Sequence, residues 1–239
     1  LIVSHGGGSL VAFPALLFAV VPPTSANETI TFSSCAVDLS GAHAYRKAKA
    51  THTKQLPRLL VISLIGEIAG AWLLLQTPES LFREAIPWLL LFATILFVFG
   101  GMLNGMLKRF ASRHRHASSI GRVLLALVLL GVCLYGGFFN AGLGIIILSY
   151  LALAGYSDIN AMTGLKLLVS STVSLVAIAL FIHDNAIAWY AGTTVLLGTL
   201  VGGYAAAHVS RRLPQAYVRY FVILASSAIT VYFFFATYA

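Results

Sequence analysis

The feature that most constrains this chain is a glycine-rich interruption inside a long apolar run. The run extends from Ile120 to Ala154, and residues 136–144 at its centre read Gly-Gly-Phe-Phe-Asn-Ala-Gly-Leu-Gly. In hydrocarbon every backbone N–H and C=O group must be satisfied, so a broken helix is tolerated only where protein or a water-filled cavity covers it. We therefore predict a helical hairpin whose tip is buried inside a membrane protein.

The composition agrees with a membrane protein. Of the 239 residues, 59% are hydrophobic and 9% are charged, whereas soluble domains carry about 25% charged residues. The net charge of +8 comes from cations clustered in short loops between apolar segments, a pattern typical of membrane orientation rather than of nucleic-acid binding. Cys35 and Cys133 form no CxxC pattern, so we predict neither a disulfide framework nor a zinc site, and no cofactor.

Apolar segments of about 20 residues predict the remaining membrane spans. They lie at 29–45, 57–75, 82–107, 160–182, 186–209 and 217–238, while the shorter stretches 10–21 and 143–154 are predicted to be re-entrant arms. Basic loops at 46–58, 108–115 and 209–216 are assigned to the cytoplasmic side. With these assignments, the run from Ile120 to Ala154 must enter from the cytoplasm and return to it.

The two halves of the chain predict an inverted repeat. A second glycine run, His5-Gly6-Gly7-Gly8-Ser9, opens the chain, and a shift of 135 positions lays Gly7 on Gly142, while corresponding loops carry opposite charge. We therefore predict an all-α polytopic membrane protein of two inverted repeats, each a glycine-broken helical hairpin plus three transmembrane helices. Repeat 1 covers residues 1–107, a basic cytoplasmic linker covers 108–119, and repeat 2 covers 120–239. We expect no cleaved signal peptide, and an apolar arm of about 15 residues to be absent or truncated before Leu1.

Polar side chains recur on one face of the span that follows each hairpin. One stripe is Asn27, Thr31, Ser34 and Asp38, and the other is Thr163, Lys166, Ser170 and Ser174. Such stripes suit a hydrophilic pathway, although hydroxyls that bond back to their own helix produce the same pattern. Lys166 lies roughly 12 Å along its helix, and a charge at such depth costs about 3 kcal/mol on insertion scales. It is a fixed cation for an anionic substrate, a lysine whose stem reaches the cytoplasmic interface, or the partner of a structural carboxylate.

Glycine breaks expose backbone N–H groups and the positive end of the following half-helix, which together can cradle an anion. Close helix packing is the alternative role for such glycines, and it is the one we assign to Gly66xxxGly70. The predicted substrate-binding residues are His5, Gly6, Gly7, Gly8, Ser9, Asn27, Thr31, Asn140, Ala141, Gly142, Thr163, Lys166 and Ser170. Glu28, Asp38 and Glu67 are candidates for proton coupling or for structural pairing. The sequence contains no Walker A, HExxH or GxSxG motif, so no enzymatic activity is predicted.

The stretch Gly6-Gly7-Gly8-Ser9-Leu10-Val11-Ala12-Phe13-Pro14-Ala15-Leu16, followed by Ala26-Asn27-Glu28-Thr29, resembles the TauE/SafE family of sulfite exporters. The resemblance covers essentially the whole chain, including Ala205-Ala206-Ala207 and Arg211-Arg212-Leu213-Pro214. Two departures are a second glycine run reduced to residues 140–144 and a Gly-Thr signature that appears as Glu28-Thr29 and as Thr163-Gly164. The resemblance implies a multi-pass protein of the bacterial inner membrane that exports sulfite or short organosulfonates.

The sequence-based hypothesis is therefore a transporter that works by alternating access and holds a small sulfur oxyanion at the hairpin tips near the membrane midplane. Its expected partners are that anion and membrane lipid, with no nucleic acid. Two alternatives remain open at this point: a carrier of another small anion, such as a carboxylate, or a membrane assembly or chaperone subunit without transport activity.

Overall fold

The computed structural model describes residues 7–19, 21–44, 56–113, 119–156, 158–184, 187, 189–190, 192–198 and 215–238. Within these ranges every regular element is an α-helix, which confirms the predicted all-helical class. In chain order the helices are α1 (Gly7–Phe18), α2 (Pro23–Ala44), α3 (Leu56–Gln76), α4 (Glu79–Arg113), α5 (Ser119–Phe138), α6 (Leu143–Leu153), α7 (Ile159–His183) and α8 (Gln215–Tyr238). Residues 192–198 form a further helical segment between α7 and α8.

Two helices differ from the predicted segments at their ends. Helix α2 begins at Pro23, six positions before the predicted start, because proline fits the first helical position, where no N–H is needed. Helix α4 continues to Arg113, since the Leu, Met, Lys and Arg residues of this stretch are good helix formers. Most of the predicted 108–119 linker is therefore helical, and residues 114–118 lie outside the described part of the chain.

The outer surface carries many large apolar side chains, and the largely apolar core also contains buried polar side chains. Large apolar side chains such as Trp72, Trp88 and Leu224 are exposed on the outer surface, whereas many polar side chains are buried. Among the described helices, Leu56–Gln76 and Ala161–His183 are long and apolar enough to cross a membrane, and Val123–Phe138, Leu143–Leu153 and Ile223–Tyr238 are shorter apolar helices. An apolar exterior combined with polar groups buried inside is the arrangement expected of a chain surrounded by lipid.

Helices α3 and α5 pack backbone against backbone. A Cβ atom added at Gly66 would lie 2.7 Å from the carbonyl oxygen of Leu130, and one added at Gly70 would overlap the carbonyl of Leu134. Only glycine permits this approach, as is usual for small-residue helix contacts in membranes. The predicted packing role of Gly66xxxGly70 is confirmed.

Two further helix pairs run antiparallel. In the first pair, α2 and α7, the Cys35 thiol donates to the carbonyl of Ser171 at 3.7 Å. In the second pair, α4 and α8, Tyr238 Oη near the end of α8 donates to the carbonyl of Glu84 near the start of α4 at 3.0 Å. Further along the same pair, the hydroxyls of Thr94 and Thr230 are 3.3 Å apart. The successive contacts place the start of each helix near the end of its partner.

Several predicted features lie outside the described residues. These are His5 and Gly6 of the first glycine run, the basic loop at 46–55, residues 114–118, and most of the predicted span and loop at 199–214.

Candidate functional site

The predicted helix break is present between α5 and α6. Helix α5 ends at Phe138 and α6 begins at Leu143, so four residues form the tip of the hairpin. Gly142 has φ of 85°, in the left-handed region that favours glycine. A Cβ at this position would also lie 2.9 Å from the Cβ of Ala93 on α4. Backbone conformation and close packing therefore both require a glycine here.

An amide network ties the break to α2. Asn27 Nδ2 donates to the carbonyl of Phe138 at 3.1 Å, and the Asn140 N–H donates to Asn27 Oδ1 at 3.2 Å. Asn140 Nδ2 donates to Thr31 Oγ1 at 3.2 Å, and the Thr31 hydroxyl donates to the carbonyl of Asn27 at 3.0 Å. The structure therefore brings three of the predicted site residues, Asn27, Thr31 and Asn140, into one hydrogen-bonded cluster that is almost fully buried.

The break uses several of its own N–H groups. The N–H of Leu143 donates to the carbonyl of Asn140 at 3.2 Å, and those of Ile145 and Ile146 donate to the carbonyl of Gly142 at 3.0 and 3.4 Å. Fewer backbone N–H groups are therefore free to bind an anion than the sequence predicts, because the carbonyls of the tight turn accept hydrogen bonds from the first turn of α6. An anion at this helix end would compete with acceptors that belong to the protein.

Aromatic packing holds the hairpin tip in place. Phe139 is fully buried, and its ring lies 5.1 Å from that of Phe13 in a T-shaped contact. The rings of Phe82 and Tyr135 also pack against Phe139, and Tyr135 Oη donates to the carbonyl of Ala141 at 3.1 Å. Because Phe13 belongs to α1, the tip of the second hairpin contacts the arm that follows the first glycine run.

A buried ion pair joins α2 and α7. Lys166 Nζ lies 3.8 Å from Asp38 Oδ1, and the two side chains are 3% and 14% exposed. Ser170, one turn further along α7, hydrogen-bonds Asp38. Lys166 therefore has the structural carboxylate partner that the sequence allowed as one reading of this residue.

The ion pair is separated from the amide network along α2. Asp38 follows Thr31 by seven positions, which corresponds to about 10 Å of helix. The sequence predicted a single site in which Lys166 and the hairpin tip act together, whereas the structure shows two polar clusters. Both lie on the predicted polar stripe of α2.

Two buried carboxyl groups carry oxygens without the hydrogen-bond partners that buried charges usually have. Glu28 is 0% exposed, and neither of its oxygens makes a hydrogen bond. Glu67 is 1% exposed, and its Oε2 makes no hydrogen bond. Of the three predicted coupling carboxylates, Asp38 alone forms an ion pair with a lysine among the described residues.

The remaining predicted residues fall in three places. Gly7, Gly8 and Ser9 form the first turn of α1, and Ala141 lies in the hairpin tip. Thr163 lies on α7 and is buried. Sequence reasoning did not assign Tyr135 to the site, although its hydroxyl donates to the carbonyl of Ala141 in the break. A polar aromatic residue directly before the Gly136-Gly137 pair was the one available signal. Within the described ranges, no three His, Cys, Asp or Glu side chains come together as a metal site would require.

An apolar exterior, a buried polar stripe and a broken hairpin packed against that stripe are features expected of a membrane transporter. The comparisons with known proteins agree. The family model described as "Sulfite exporter TauE/SafE" matches residues 3–233, and the chain belongs to that family.

The curated relatives carry the same kind of description. A "Probable membrane transporter protein" of Haemophilus influenzae is 26% identical over 226 residues, covering 94% of this chain and 86% of that protein. The "Probable membrane transporter protein YfcA" of Escherichia coli K12 is 23% identical, covering 94% and 81%. The "Probable membrane transporter protein ORF9" of Sinorhizobium is also 23% identical, covering 95% and 84%. No solved structure matches the chain.

Proposed function

We propose that this protein exports a small sulfur oxyanion, such as sulfite or a short organosulfonate, across the bacterial inner membrane. The substrate class comes from the family description and from the chemistry of the hairpin tip. Transport proceeds by alternating access, in which one repeat rearranges against the other around a site at the tip.

Contacts between equivalent positions support the inverted-repeat part of this proposal. Thr94 and Thr230 are 136 positions apart and touch, and Cys35 and Ser171 are also 136 positions apart and are hydrogen-bonded. This spacing is close to the repeat shift read from the glycine runs. A twofold axis in the membrane plane reverses helix direction, so equivalent helices that meet on it run antiparallel, as both pairs do.

The amide network is the single observation that carries the anion-binding part. The Asn140 N–H and side-chain amide donate to Asn27 Oδ1 and Thr31 Oγ1, and the Asn27 amide donates to the carbonyl of Phe138. Asn140 lies three positions before α6, whose helix dipole favours negative charge at its start. The bound anion replaces Asn27 Oδ1 as the acceptor of the Asn140 N–H. An oxyanion suits this exchange because its several oxygens accept hydrogen bonds from more than one donor.

The ion pair of Lys166 and Asp38 provides a second anion-binding position on the same pathway. Lys166 is buried and lies one polar cluster away from the tip, next to Asp38 and Ser170. In the proposed cycle an anion that leaves the tip passes this lysine, which exchanges Asp38 for the substrate. The cost of burying a lone lysine is thereby avoided when no anion is present.

The test is efflux from proteoliposomes loaded with sulfite, sulfate or methanesulfonate, with and without a pH gradient. We expect selective efflux of the sulfur anions, and a loss of about tenfold or more in Asn140→Ala and in Lys166→Met. A carboxylate such as acetate in the outer medium tests the alternative substrate by trans-exchange.

Thr172→Ala serves as the matched control, because this hydroxyl bonds only to the carbonyl of Leu168 in its own helix, at 2.8 Å. Its efflux should equal that of the wild type. Absence of flux for every anion from folded wild-type protein would refute transport and favour the assembly role. Wild-type rates in both Asn140→Ala and Lys166→Met would refute the site.

A further inference from the structure

Glu67 occupies an unusual position for a carboxyl group. It is the twelfth of the 21 residues of α3, close to the middle of a helix long enough to cross a membrane. Its side chain is 1% exposed, and Oε2 makes no hydrogen bond. One turn earlier on the same face, the hydroxyl of Ser63 is also fully buried and makes no hydrogen bond of good geometry. Polar groups left unsatisfied at such a depth are costly and usually have a function.

The carboxyl group lies directly against the base of the hairpin. A Cβ atom added at Gly136, near the end of α5, would lie 3.1 Å from Glu67 Oε2 and 2.7 Å from both δ carbons of Leu143. The carboxyl therefore sits in the space that the missing Gly136 side chain leaves, and Leu143 is the first residue of α6. A movement of the Glu67 side chain therefore changes the packing around Gly136 on α5 and around Leu143 on α6.

The charged and titratable surroundings of Glu67 are sparse. From α5 the facing titratable group is Cys133, which lies close to Ser63 and Glu67. From α6 the neighbour is the apolar Leu143. Helix α7, which also packs on α3, carries Lys166, but this side chain is paired with Asp38. The other ionisable residue of α7, His183, lies at its far end.

These surroundings select a proton as the ion that Glu67 binds. The end of α5 carries the negative pole of its helix dipole, and half-helix C-termini are where transporters hold their coupling cations. A metal cation needs several oxygen ligands, whereas the described neighbours of this carboxyl include the Cys133 thiol and the Leu143 methyl groups, which supply no oxygen. A proton needs one carboxyl oxygen.

We propose that Glu67 is the coupling-proton site of this transporter, and that its position beside Gly136, at the base of the hairpin, links proton binding to movement of the hairpin. This inference rests on the proposed function. In each cycle the carboxylate takes a proton from water on one side of the membrane and returns it to water on the other side. No other bond is made or broken. The neutral acid fits the apolar gap beside Gly136, and the charged form drives the α5–α6 hairpin away to admit water.

The test compares two modes of transport in the same proteoliposomes. Radiolabelled sulfite follows anion movement, and a trapped pH dye follows protons. We expect Glu67→Gln, a neutral and nearly isosteric change, to lower flux driven by a pH gradient by about tenfold or more. Exchange of sulfite for sulfite, which needs no net proton movement, should remain within about threefold of the wild type.

Two glycine variants on α5 provide a matched pair. Gly136→Ala places a methyl group against Glu67 and should uncouple flux from the pH gradient. Gly131→Ala is the control, because a Cβ there meets nothing within 4 Å. Equal loss in both variants would indicate a general effect on α5 and overturn the proposed link to the hairpin.

A spectroscopic readout separates this inference from the proposed function. Difference infrared spectra of the purified protein between high and low pH should show a protonated-carboxyl band that disappears in Glu67→Gln and differs from any band that is lost in Glu28→Gln. If no anion is transported but this band is found, the proton site stands and the proposed function fails. If sulfite transport is observed while Glu67→Gln keeps proton-driven flux, or while a sodium gradient alone drives it, the coupling role of Glu67 is overturned.

Discussion

Removing the Asn27 amide tests the contact on which the candidate site depends. In Asn27→Ala the carbonyl of Phe138 loses a donor at 3.1 Å, and the N–H of Asn140 loses an acceptor at 3.2 Å. Both groups lie in the hairpin break, where no helical hydrogen bond replaces the lost one. The free energy of unfolding should fall by about 2–4 kcal/mol, between roughly 1 kcal/mol for two average membrane hydrogen bonds and roughly 6 kcal/mol for two orphaned backbone groups.

The assay is denaturant unfolding of the purified protein in micelles, with Thr172→Ala as the reference. That substitution removes a hydroxyl bonded to its own helix and should cost no more than about 0.5 kcal/mol, because the carbonyl keeps its helical partner. Equal stability of the two variants would mean that α2 does not hold the hairpin break. Anion binding should weaken in Asn27→Ala as well, since the site loses the Asn27 Nδ2 donor.

The remaining predictions concern the ion pair, the turns and the repeat axis. Lys166→Met should destabilise the protein by about 3–5 kcal/mol by stranding Asp38, and adding Asp38→Asn should recover most of this loss in a double-mutant cycle; independent, additive losses would contradict the pairing. Gly142→Ala should lower the free energy of unfolding more than Gly155→Ala, because both glycines have positive φ but only the first substitution places a methyl group against another helix. Chemical unfolding measures the difference, and equal losses would argue against that close packing. Thr94→Val should lower stability by about 0.6 kcal/mol, and a loss above about 2 kcal/mol would show a larger role for this contact.

The local features of the hairpin were predictable from sequence because they depend on short-range physics. The apolar run, the glycine break and the short arm α6 follow from hydrophobic length and from the conformational freedom of glycine. The polar stripe of α2 follows from helical periodicity, and its members Asn27 and Thr31 do meet Asn140. A helix face can be read from spacing alone.

The partners of the buried charged residues were not predictable in the same way. Lys166 had three carboxylate candidates within the apolar layer, and only the antiparallel packing of α2 on α7 selects Asp38. The neighbourhood of Glu67 depends on the register of α3 against α5, which is set by backbone contacts at Gly66 and Gly70. The spacing of residues within one helix does not predict the register of that helix against another helix distant in sequence.

The sequence by itself determined that this chain has apolar helices, a glycine-broken hairpin and polar residues on one helix face, because these properties depend on residues close together along the chain. Only the tertiary structure decided that the hairpin tip is bonded to Asn27 and that Glu67 fills the gap at Gly136. It also decided that Lys166 pairs with Asp38, at a point about 10 Å along α2 from the amide network. The physical reason is that burial makes these polar groups find partners across the packed interior, and the partners available depend on which helices touch and in which register.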